Sequence, residues 1–231
     1  MQLFCFTHAG GNAAFFDKLE SLLSPDIELV KLEYSGHGTR RKEELYYNFS
    51  DLSDDMYSAI KSAYKTGEKY ALLGYSMGSI STVEVTKKII AQEELPNPAY
   101  IFLAAHEPFT KAEMIGYSAD EIDKYVMDRT IQFGGIPETL IHNKSFWRVY
   151  LPVYRADYSM IGKYEFEKLD IKSEIPATIF YSETDTPFRD MKEWSNYFVG
   201  ECEFIQYTGN HFFINEHCQE MAEVIKGRLE I

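Results

Sequence analysis

Segment 74–78 reads Gly-Tyr-Ser-Met-Gly and carries the strongest chemical signal in the sequence. A strand pattern precedes it at 70–73, and a helix pattern follows it. A serine between two glycines at a strand-to-helix turn can expose its hydroxyl on a strained backbone, because glycine leaves room for the tight turn. The positive end of the following helix favours negative charge that develops at this serine. An ordinary turn is the alternative, but the context predicts that Ser76 is a nucleophile.

A serine nucleophile needs a base, and His211 is the best candidate among the six histidines. In strand-to-helix serine sites of this type the order along the chain is serine, acid, histidine, so the base lies near the C-terminal end of the sequence. His211 meets this condition, and it directly follows a strand pattern and a Gly-Asn turn. His217 lies in or beside the last helix pattern, which is typical of a surface or capping residue. His8 and His37 precede the serine, and we expect both to be loop histidines bonded to backbone. His142 has no motif around it.

Two carboxylates compete for the position that would orient the imidazole. Asp185 follows the strand pattern at 177–181, in a loop that can bring a carboxylate beneath the ring to fix its tautomer. Glu107 follows the strand pattern at 100–104, whose end also lies beside the nucleophile in a doubly wound sheet. The position in the chain favours Asp185 over Glu107.

Backbone N–H groups must stabilise the oxygen that becomes negative when a nucleophile attacks a carbonyl. The residue after the nucleophile, Met77, supplies one such group. The loop after the first strand pattern, 7–11, reads Thr-His-Ala-Gly-Gly, and its glycines allow the backbone to approach a substrate closely. The sequence has none of the glycine-rich patterns that bind nucleotide phosphates.

Short apolar runs alternate with helical patterns, which predicts a mainly parallel sheet with helices on both faces. The predicted strands are 3–6, 28–33, 70–73, 100–104, 177–181 and 203–207. One connection, 106–176, has 71 residues and eleven aromatic side chains, far more than a crossover helix needs. We expect an inserted helical lid at about 107–176. Its aromatics either form the core of the lid or line a pocket for an apolar acyl group.

Composition excludes several classes of protein. The 231 residues include 36 acidic and 23 basic side chains, a net charge of −13 that repels nucleic acids and anionic membranes. Three cysteines without Cys-x-x-Cys spacing indicate neither a disulfide frame nor a metal site. No apolar run approaches the length of a membrane helix, and the N-terminus has no secretion-signal pattern. We therefore expect a cytoplasmic protein with a single domain, 1–231.

Motifs spread in order along nearly the whole chain resemble those of the stand-alone type II thioesterases of nonribosomal peptide and polyketide synthases. These enzymes belong to the α/β-hydrolase superfamily. The similar segments are LFCFTHAGG (3–11), GHGTR (36–40), GYSMG (74–78), QFGGIP (132–137), LPVYRADY (151–158) and GNHFF (209–213).

The resemblance implies an α/β-hydrolase fold with Ser76 as nucleophile, His211 as base and Asp185 as acid. It also implies that the N–H groups of Ala9 and Met77 hold the oxyanion. No cofactor or metal is implied. The implied partner is an acyl or peptidyl carrier protein, whose phosphopantetheine arm presents an acyl thioester, and the implied role is editing of stalled acyl groups.

The sequence departs from the family pattern at four positions: Thr7 and Ser35 replace prolines, Tyr75 replaces a histidine, and Asn210 replaces a glycine. None of these changes removes a reacting group, although Tyr75 and Asn210 flank the site. The thioesterase domains integrated into the same synthases tend to place their acid where Glu107 lies, which keeps that residue as the alternative.

Carrier proteins are typically acidic, so docking to this acidic chain would need a local basic surface. The run Arg-Arg-Lys at 40–42 is a candidate, although a solvated charge run is the simpler interpretation. Two other functions stay open from the sequence. One is a carboxylesterase or lipase acting on small oxygen esters, and the other is a binding module that has kept the fold without activity.

Overall fold

The computed structural model describes residues 1–109 and 117–231. In this part of the chain, six parallel strands form one sheet in the order β2-β1-β3-β4-β5-β6. The strands are β1 (Gln2–Phe6), β2 (Glu28–Lys31), β3 (Tyr70–Tyr75), β4 (Tyr100–Ala104), β5 (Ala177–Ser182) and β6 (Cys202–Tyr207). The predicted parallel α/β sheet is confirmed.

Five strand ends differ from the prediction: β1 and β6 begin one residue early, β5 ends one residue late, and two further ends differ by two residues. β2 ends two residues early at Lys31, although the next N–H, that of Leu32, still donates to the carbonyl of Cys5. β3 runs two residues further than predicted because Gly74 and Tyr75 pair with β4. The longer strand carries the chain directly to Ser76.

Helices cover both faces of the sheet. They are α1 (Asp17–Leu23), α2 (Phe49–Ala63), α3 (Met77–Gln92), α4 (Ala119–Phe133), α5 (Glu138–Ile141), α6 (Lys144–Lys163), α7 (Phe188–Met191) and α8 (Ile214–Arg228). Successive strand residues point to opposite faces. In β1, Phe4 therefore packs in the core beneath α2 and α3, whereas Leu3 packs in the core beneath α1 and α8.

The connection between β4 and β5 contains α4, α5 and α6, and we call residues 107–176 the lid segment. Part of the predicted lid, 110–116, lies outside the described residues. α4 begins with a capping box between Ser118 and Glu121. A separate apolar cluster joins α4 to α6 and includes Val126, Trp147 and Tyr154. The lid segment therefore has a small core of its own.

The strand order fixes where a site can form. The chain moves from β1 to β2 on one side, then crosses to β3 and continues away on the other side. Loops leaving the carboxyl ends of β1 and β3 therefore diverge, and ligands bind in the crevice that this creates. None of the helices described is long and apolar enough to cross a membrane.

Candidate active site

The turn between β3 and α3 holds Ser76 in an unusual backbone conformation. Its φ is +55° and its ψ is −119°, in a region that residues other than glycine rarely adopt. The Ser76 N–H donates to the carbonyl of Ala104 at the end of β4, at 2.7 Å. This hydrogen bond holds the turn against the neighbouring strand, so that the serine lies directly above the carboxyl edge of the sheet.

The two glycines of the motif allow close packing around this turn. A Cβ on Gly74 would clash with the carbonyl of Gly78, and a Cβ on Gly78 would clash with the carbonyl of Phe6 in β1. Both clashes are with backbone, which cannot swing aside as a flexible side chain can. The first turn of α3 thus lies against β1, and both glycines are needed for steric reasons.

Three polar side chains meet at the turn. His211 Nε2 lies 2.9 Å from Ser76 Oγ, and His211 Nδ1 lies 2.9 Å from Asp185 Oδ2. A carboxylate only accepts, so Nδ1 carries a hydrogen and Nε2 is free to accept from the serine hydroxyl. Ser76 and His211 are 8% and 6% exposed, and the Asp185 side chain is 7% exposed. The chain of hydrogen bonds is therefore largely shielded from water.

Local hydrogen bonds orient the loops that carry the acid and the base. The Asp185 N–H donates to the carbonyl of Ser182 at the end of β5, at 3.0 Å. The Tyr75 hydroxyl donates to the carbonyl of His211 at 2.7 Å. Burial raises the pKa of Tyr75 well above its usual value, so the phenol stays a donor. The tyrosine that departs from the family pattern thus supports the histidine loop.

Asn210, another departure from the family pattern, has a local role. Its side-chain oxygen accepts from the N–H of Phe212 at 2.9 Å, which closes a tight turn around His211. The preceding Gly209 has a φ of +104°, which glycine adopts readily. The substitution of asparagine for glycine at 210 is therefore compatible with this loop.

Glu107, the alternative acid, lies in the same cavity but contacts a different group. The Thr186 hydroxyl donates to Glu107 Oε2 at 3.3 Å. The imidazole Nδ1 of His211 instead faces both carboxylate oxygens of Asp185, at 2.9 and 3.0 Å. The geometry brings Asp185, and not Glu107, to the histidine.

The N–H groups of Ala9 and Met77 are the expected donors to the oxyanion. Among the described residues, neither the Ala9 N–H nor the Met77 N–H donates a hydrogen bond to the protein. Ala9 lies in the loop after β1, and Met77 is the first residue of α3. Unpaired donors at a helix N-terminus are suited to an oxygen that gains negative charge.

The lid segment covers the imidazole. The Phe133 ring at the end of α4 stacks on His211, with 4.0 Å between centroids and 19° between planes. The Arg129 guanidinium lies 4.5 Å from the centroid of the Phe133 ring. A cavity opens between the lid segment and the turn, and both Tyr154 and Tyr158 line it. Lid aromatics therefore contribute both to the core of the lid segment and to the lining of this cavity.

The remaining histidines only partly match their expected surroundings. His8 Nδ1 donates to the Ala9 carbonyl at 2.9 Å, and burial lowers the pKa of His8 to about 4. His37 Nδ1 donates to the Ser35 carbonyl, as expected of a loop histidine, but its Nε2 lies 2.9 Å from Asp157 of the lid segment. Sequence reasoning missed this contact, although Asp157 lies in the family segment 151–158.

The basic run at 40–42 is less available than its sequence suggests. Arg40 forms ion pairs with Glu43 and Asp55 and donates to the Glu33 carbonyl at 3.0 Å. Arg41 and Lys42 are exposed. No group of three or more possible metal ligands occurs in the part of the chain described.

Residues 1–229 match the family model of the thioesterase domain. The chain belongs to the thioesterase family. It is 26% identical over 234 residues to the gramicidin S biosynthesis protein GrsT of Aneurinibacillus migulanus, covering 100% of this chain and 90% of that protein. It is also 26% identical to the probable anguibactin biosynthesis thioesterase AngT of Vibrio anguillarum, covering 94% and 87% of the two chains.

A solved structure shares the fold of this thioesterase. ClbQ from the colibactin nonribosomal peptide and polyketide synthase pathway superimposes with a TM-score of 0.85 at 24% identity, covering 99% of this chain and 96% of that one. The thioesterase therefore has the α/β-hydrolase fold that the motifs implied. Its family membership makes it a hydrolase of thioesters.

Proposed function

We propose that this thioesterase releases acyl groups from the phosphopantetheine arm of a carrier protein, with Ser76 as nucleophile, His211 as base and Asp185 as the acid that orients it. The observation that supports the proposal is the hydrogen-bonded chain Ser76–His211–Asp185 at the carboxyl edge of the sheet. A serine becomes a good nucleophile when an adjacent base accepts its proton and a third group orients that base.

The reaction has two stages. Ser76 Oγ attacks the thioester carbonyl while His211 Nε2 takes its proton, and the Asp185 carboxylate stabilises the imidazolium. The N–H groups of Ala9 and Met77 hold the oxyanion, and collapse expels the pantetheine sulfur, which receives the proton from His211. Water then attacks the acyl-serine with His211 again as base, releasing the acid and restoring Ser76. His211 Nε2 accepts and returns the proton in both stages.

Both the cavity and the relatives support an acyl group attached to a carrier. The cavity is lined by aromatic side chains from the lid segment together with Ala9 and Ser76, so it can hold an acyl chain beside Ser76. The names of GrsT and AngT connect them with the biosynthesis of gramicidin S and anguibactin. An editing role that clears stalled acyl groups from such an assembly line fits both features.

Intact mass spectrometry of acyl-loaded carrier proteins tests the proposal directly. We expect the wild-type enzyme to remove the acyl mass and Ser76→Ala to leave it in place. Ser58→Ala provides the matched control, because Ser58 is exposed on α2 and far along the chain from the proposed triad. A fluorophosphonate should label the wild type and not Ser76→Ala.

Other outcomes would identify the alternatives. Rapid hydrolysis of p-nitrophenyl esters with carrier thioesters left intact would indicate a small-molecule esterase. Absence of labelling of the wild type by a fluorophosphonate would indicate an unactivated serine and a binding module. Either result would reject the proposal.

A further inference from the structure

Asp157, in α6 of the lid segment, is a buried carboxylate outside the Ser76–His211–Asp185 chain. It is 1% exposed. Its Oδ2 accepts from the N–H of Gly10 at 2.7 Å and lies 2.9 Å from His37 Nε2. Gly10 belongs to the loop after β1, and His37 to the loop after β2. One oxygen atom therefore joins the lid segment to two loops of the core.

The partner of Asp157 carries a positive charge. His37 Nδ1 lies 2.9 Å from the Ser35 carbonyl, which only accepts, so this nitrogen carries a hydrogen. Nε2 faces a carboxylate oxygen, so it donates as well. Burial opposes the charge on His37, but Asp157, by its charge and its hydrogen bond, outweighs burial and raises the pKa of His37. The result is an ion pair with both side chains 2% exposed.

The peptide between Ala9 and Gly10 is held at both of its polar groups. Its N–H donates to Asp157 at 2.7 Å, and its carbonyl accepts from His8 Nδ1 at 2.9 Å. Because burial lowers the pKa of His8 to about 4, the ring is neutral near pH 7 and carries its hydrogen on Nδ1. Rotation of this peptide would break both hydrogen bonds.

The same loop lies against α6. Gly10 has a φ of +69°, and a Cβ there would clash with the ring of Tyr154 from α6. Asp157 and Tyr154 are three residues apart and therefore share one helix face. The loop that carries Ala9 is thus shaped by contact with the lid segment as well as by its own sequence.

We propose that Asp157, held by His37, is a positioning residue that fixes the Ala9–Gly10 peptide so that the neighbouring Ala9 N–H faces the oxyanion. This inference rests on the role proposed above for Ala9. The two peptide planes meet at the Ala9 Cα, so fixing one restricts the other. Because negative charge develops on the substrate oxygen only as the reaction proceeds, misplacement of the donor weakens the transition state more than the bound substrate. Docking of α6 therefore completes the site.

Asp157→Leu tests this proposal, because leucine has a similar size and accepts no hydrogen bond. Removing one oxyanion donor costs about 10²–10³ in kcat, so losing its positioning should lower kcat by about tenfold to a hundredfold. We expect KM to change by less than about threefold, since ground-state contacts stay. The substrates are p-nitrophenyl acetate and acyl thioesters of N-acetylcysteamine.

The inhibition constant Ki of a trifluoromethyl ketone is a second measurement, and it would not change if Asp157 had a purely structural role. Such ketones add to the serine and place an oxyanion in the hole, so they report transition-state binding. We expect Ki to weaken by the same factor as kcat/KM. Asp157→Asn, which keeps an acceptor oxygen for the Gly10 N–H, should recover most of both losses.

Asp123→Leu is the matched control. Asp123 is a carboxylate of α4 that pairs with Arg155 of α6, so its loss weakens contact between lid helices without touching the loop after β1. We expect kcat and Ki to stay within about twofold of the wild type. Should Asp157→Leu fail to fold, Asp157→Ser serves instead, because a serine hydroxyl is too short to reach the Gly10 N–H.

The proposal is overturned if Asp157→Leu or Asp157→Ser retains the wild-type kcat and Ki, or if their effects equal those of Asp123→Leu. Failure of the proposed function gives a different result, namely a wild type that hydrolyses p-nitrophenyl acetate but no thioester, and the comparison of variants then proceeds on the oxygen ester. If the wild type hydrolyses neither, the rate of fluorophosphonate labelling provides the same comparison without turnover.

Discussion

The imidazole of His211 contacts side chains from three separate parts of the chain: Ser76 after β3, Asp185 after β5 and Phe133 of α4. In the proposed mechanism the proton moves across the Ser76 contact and the Asp185 contact orients the ring, while Phe133 covers one face of it. Because both nitrogens are engaged, the ring cannot flip without breaking two hydrogen bonds. The tautomer needed to accept a proton from serine is thereby fixed before substrate arrives.

Replacing the acid should have a large effect, and replacing its alternative a small one. In Asp185→Asn the amide cannot stabilise the imidazolium and favours the wrong tautomer, so we expect kcat to fall by about a thousandfold or more. Glu107→Gln keeps an acceptor for the Thr186 hydroxyl, so kcat should change by less than about threefold. Steady-state hydrolysis of an acyl N-acetylcysteamine thioester measures both. Loss of turnover in Glu107→Gln alone would assign the acid to Glu107.

At the scale of elements, Gly74 in β3 and Gly78 in α3 determine how closely the turn at Ser76 approaches the sheet. In Gly78→Ala the new methyl would clash with the Phe6 carbonyl of β1. Relieving this clash requires the backbone of β1 or α3 to shift, which costs free energy. We expect a loss of about 3 kcal/mol in the free energy of unfolding, with kcat reduced because Ser76 shifts. Urea unfolding and hydrolysis rates measure the two effects.

Gly227→Ala is the control for this prediction. Gly227 lies in α8, and a Cβ there would meet no atom within 4 Å. Since alanine loses less backbone entropy than glycine in a helix, the variant should be stabilised by about 0.5–1 kcal/mol with unchanged activity. Equal behaviour of the two variants would show that the turn between β3 and α3 tolerates a side chain at Gly78.

The sequence predicted those elements whose signals are local. All six strands follow from apolar runs, and Ser76 and His211 lie in short motifs beside strand ends. The extra length of β3 was not predicted, because it depends on pairing of Gly74 and Tyr75 with β4. Asp157 has no local signal either, since its partners Gly10 and His37 are 147 and 120 residues away. Only the assembled fold shows that a lid carboxylate contacts a core loop.

At the scale of the whole molecule, the buried His37 and the half-buried His8 give stability opposite dependences on pH. The pKa of His37 is raised, so its contribution is present below its unfolded pKa of about 6.5 and is lost as the pH rises through the folded value. The pKa of His8 is lowered to about 4, so the stability associated with its neutral form is present above about 6.5 and is lost as the pH falls towards 4.

His8→Gln should therefore tolerate acid better than the wild type. We expect the unfolding free energy of the variant, relative to that of the wild type, to increase by about 2 kcal/mol between pH 7 and pH 4. A ring without solvent contact would give roughly 3 kcal/mol, and the partial exposure of His8 reduces this value. Urea unfolding at pH 7, 5 and 4 measures it. His142→Gln, at an exposed position, is the control and should parallel the wild type. Parallel curves for His8→Gln would contradict the assigned neutral state.

The net charge of −13 would affect how the whole molecule meets the acidic carrier protein proposed as its partner. At low ionic strength two acidic proteins repel each other, and salt screens such repulsion over about 10 Å at 0.1 M. We therefore expect kcat/KM for an acyl-carrier substrate to rise severalfold between about 10 and 200 mM NaCl, in the range where screening changes most. Hydrolysis of the uncharged N-acetylcysteamine thioester should stay constant, which separates encounter from chemistry. A fall with salt for the carrier substrate would mean that exposed cations such as Arg41 and Lys42 dominate docking, because local attraction would then outweigh the repulsion of the whole molecule.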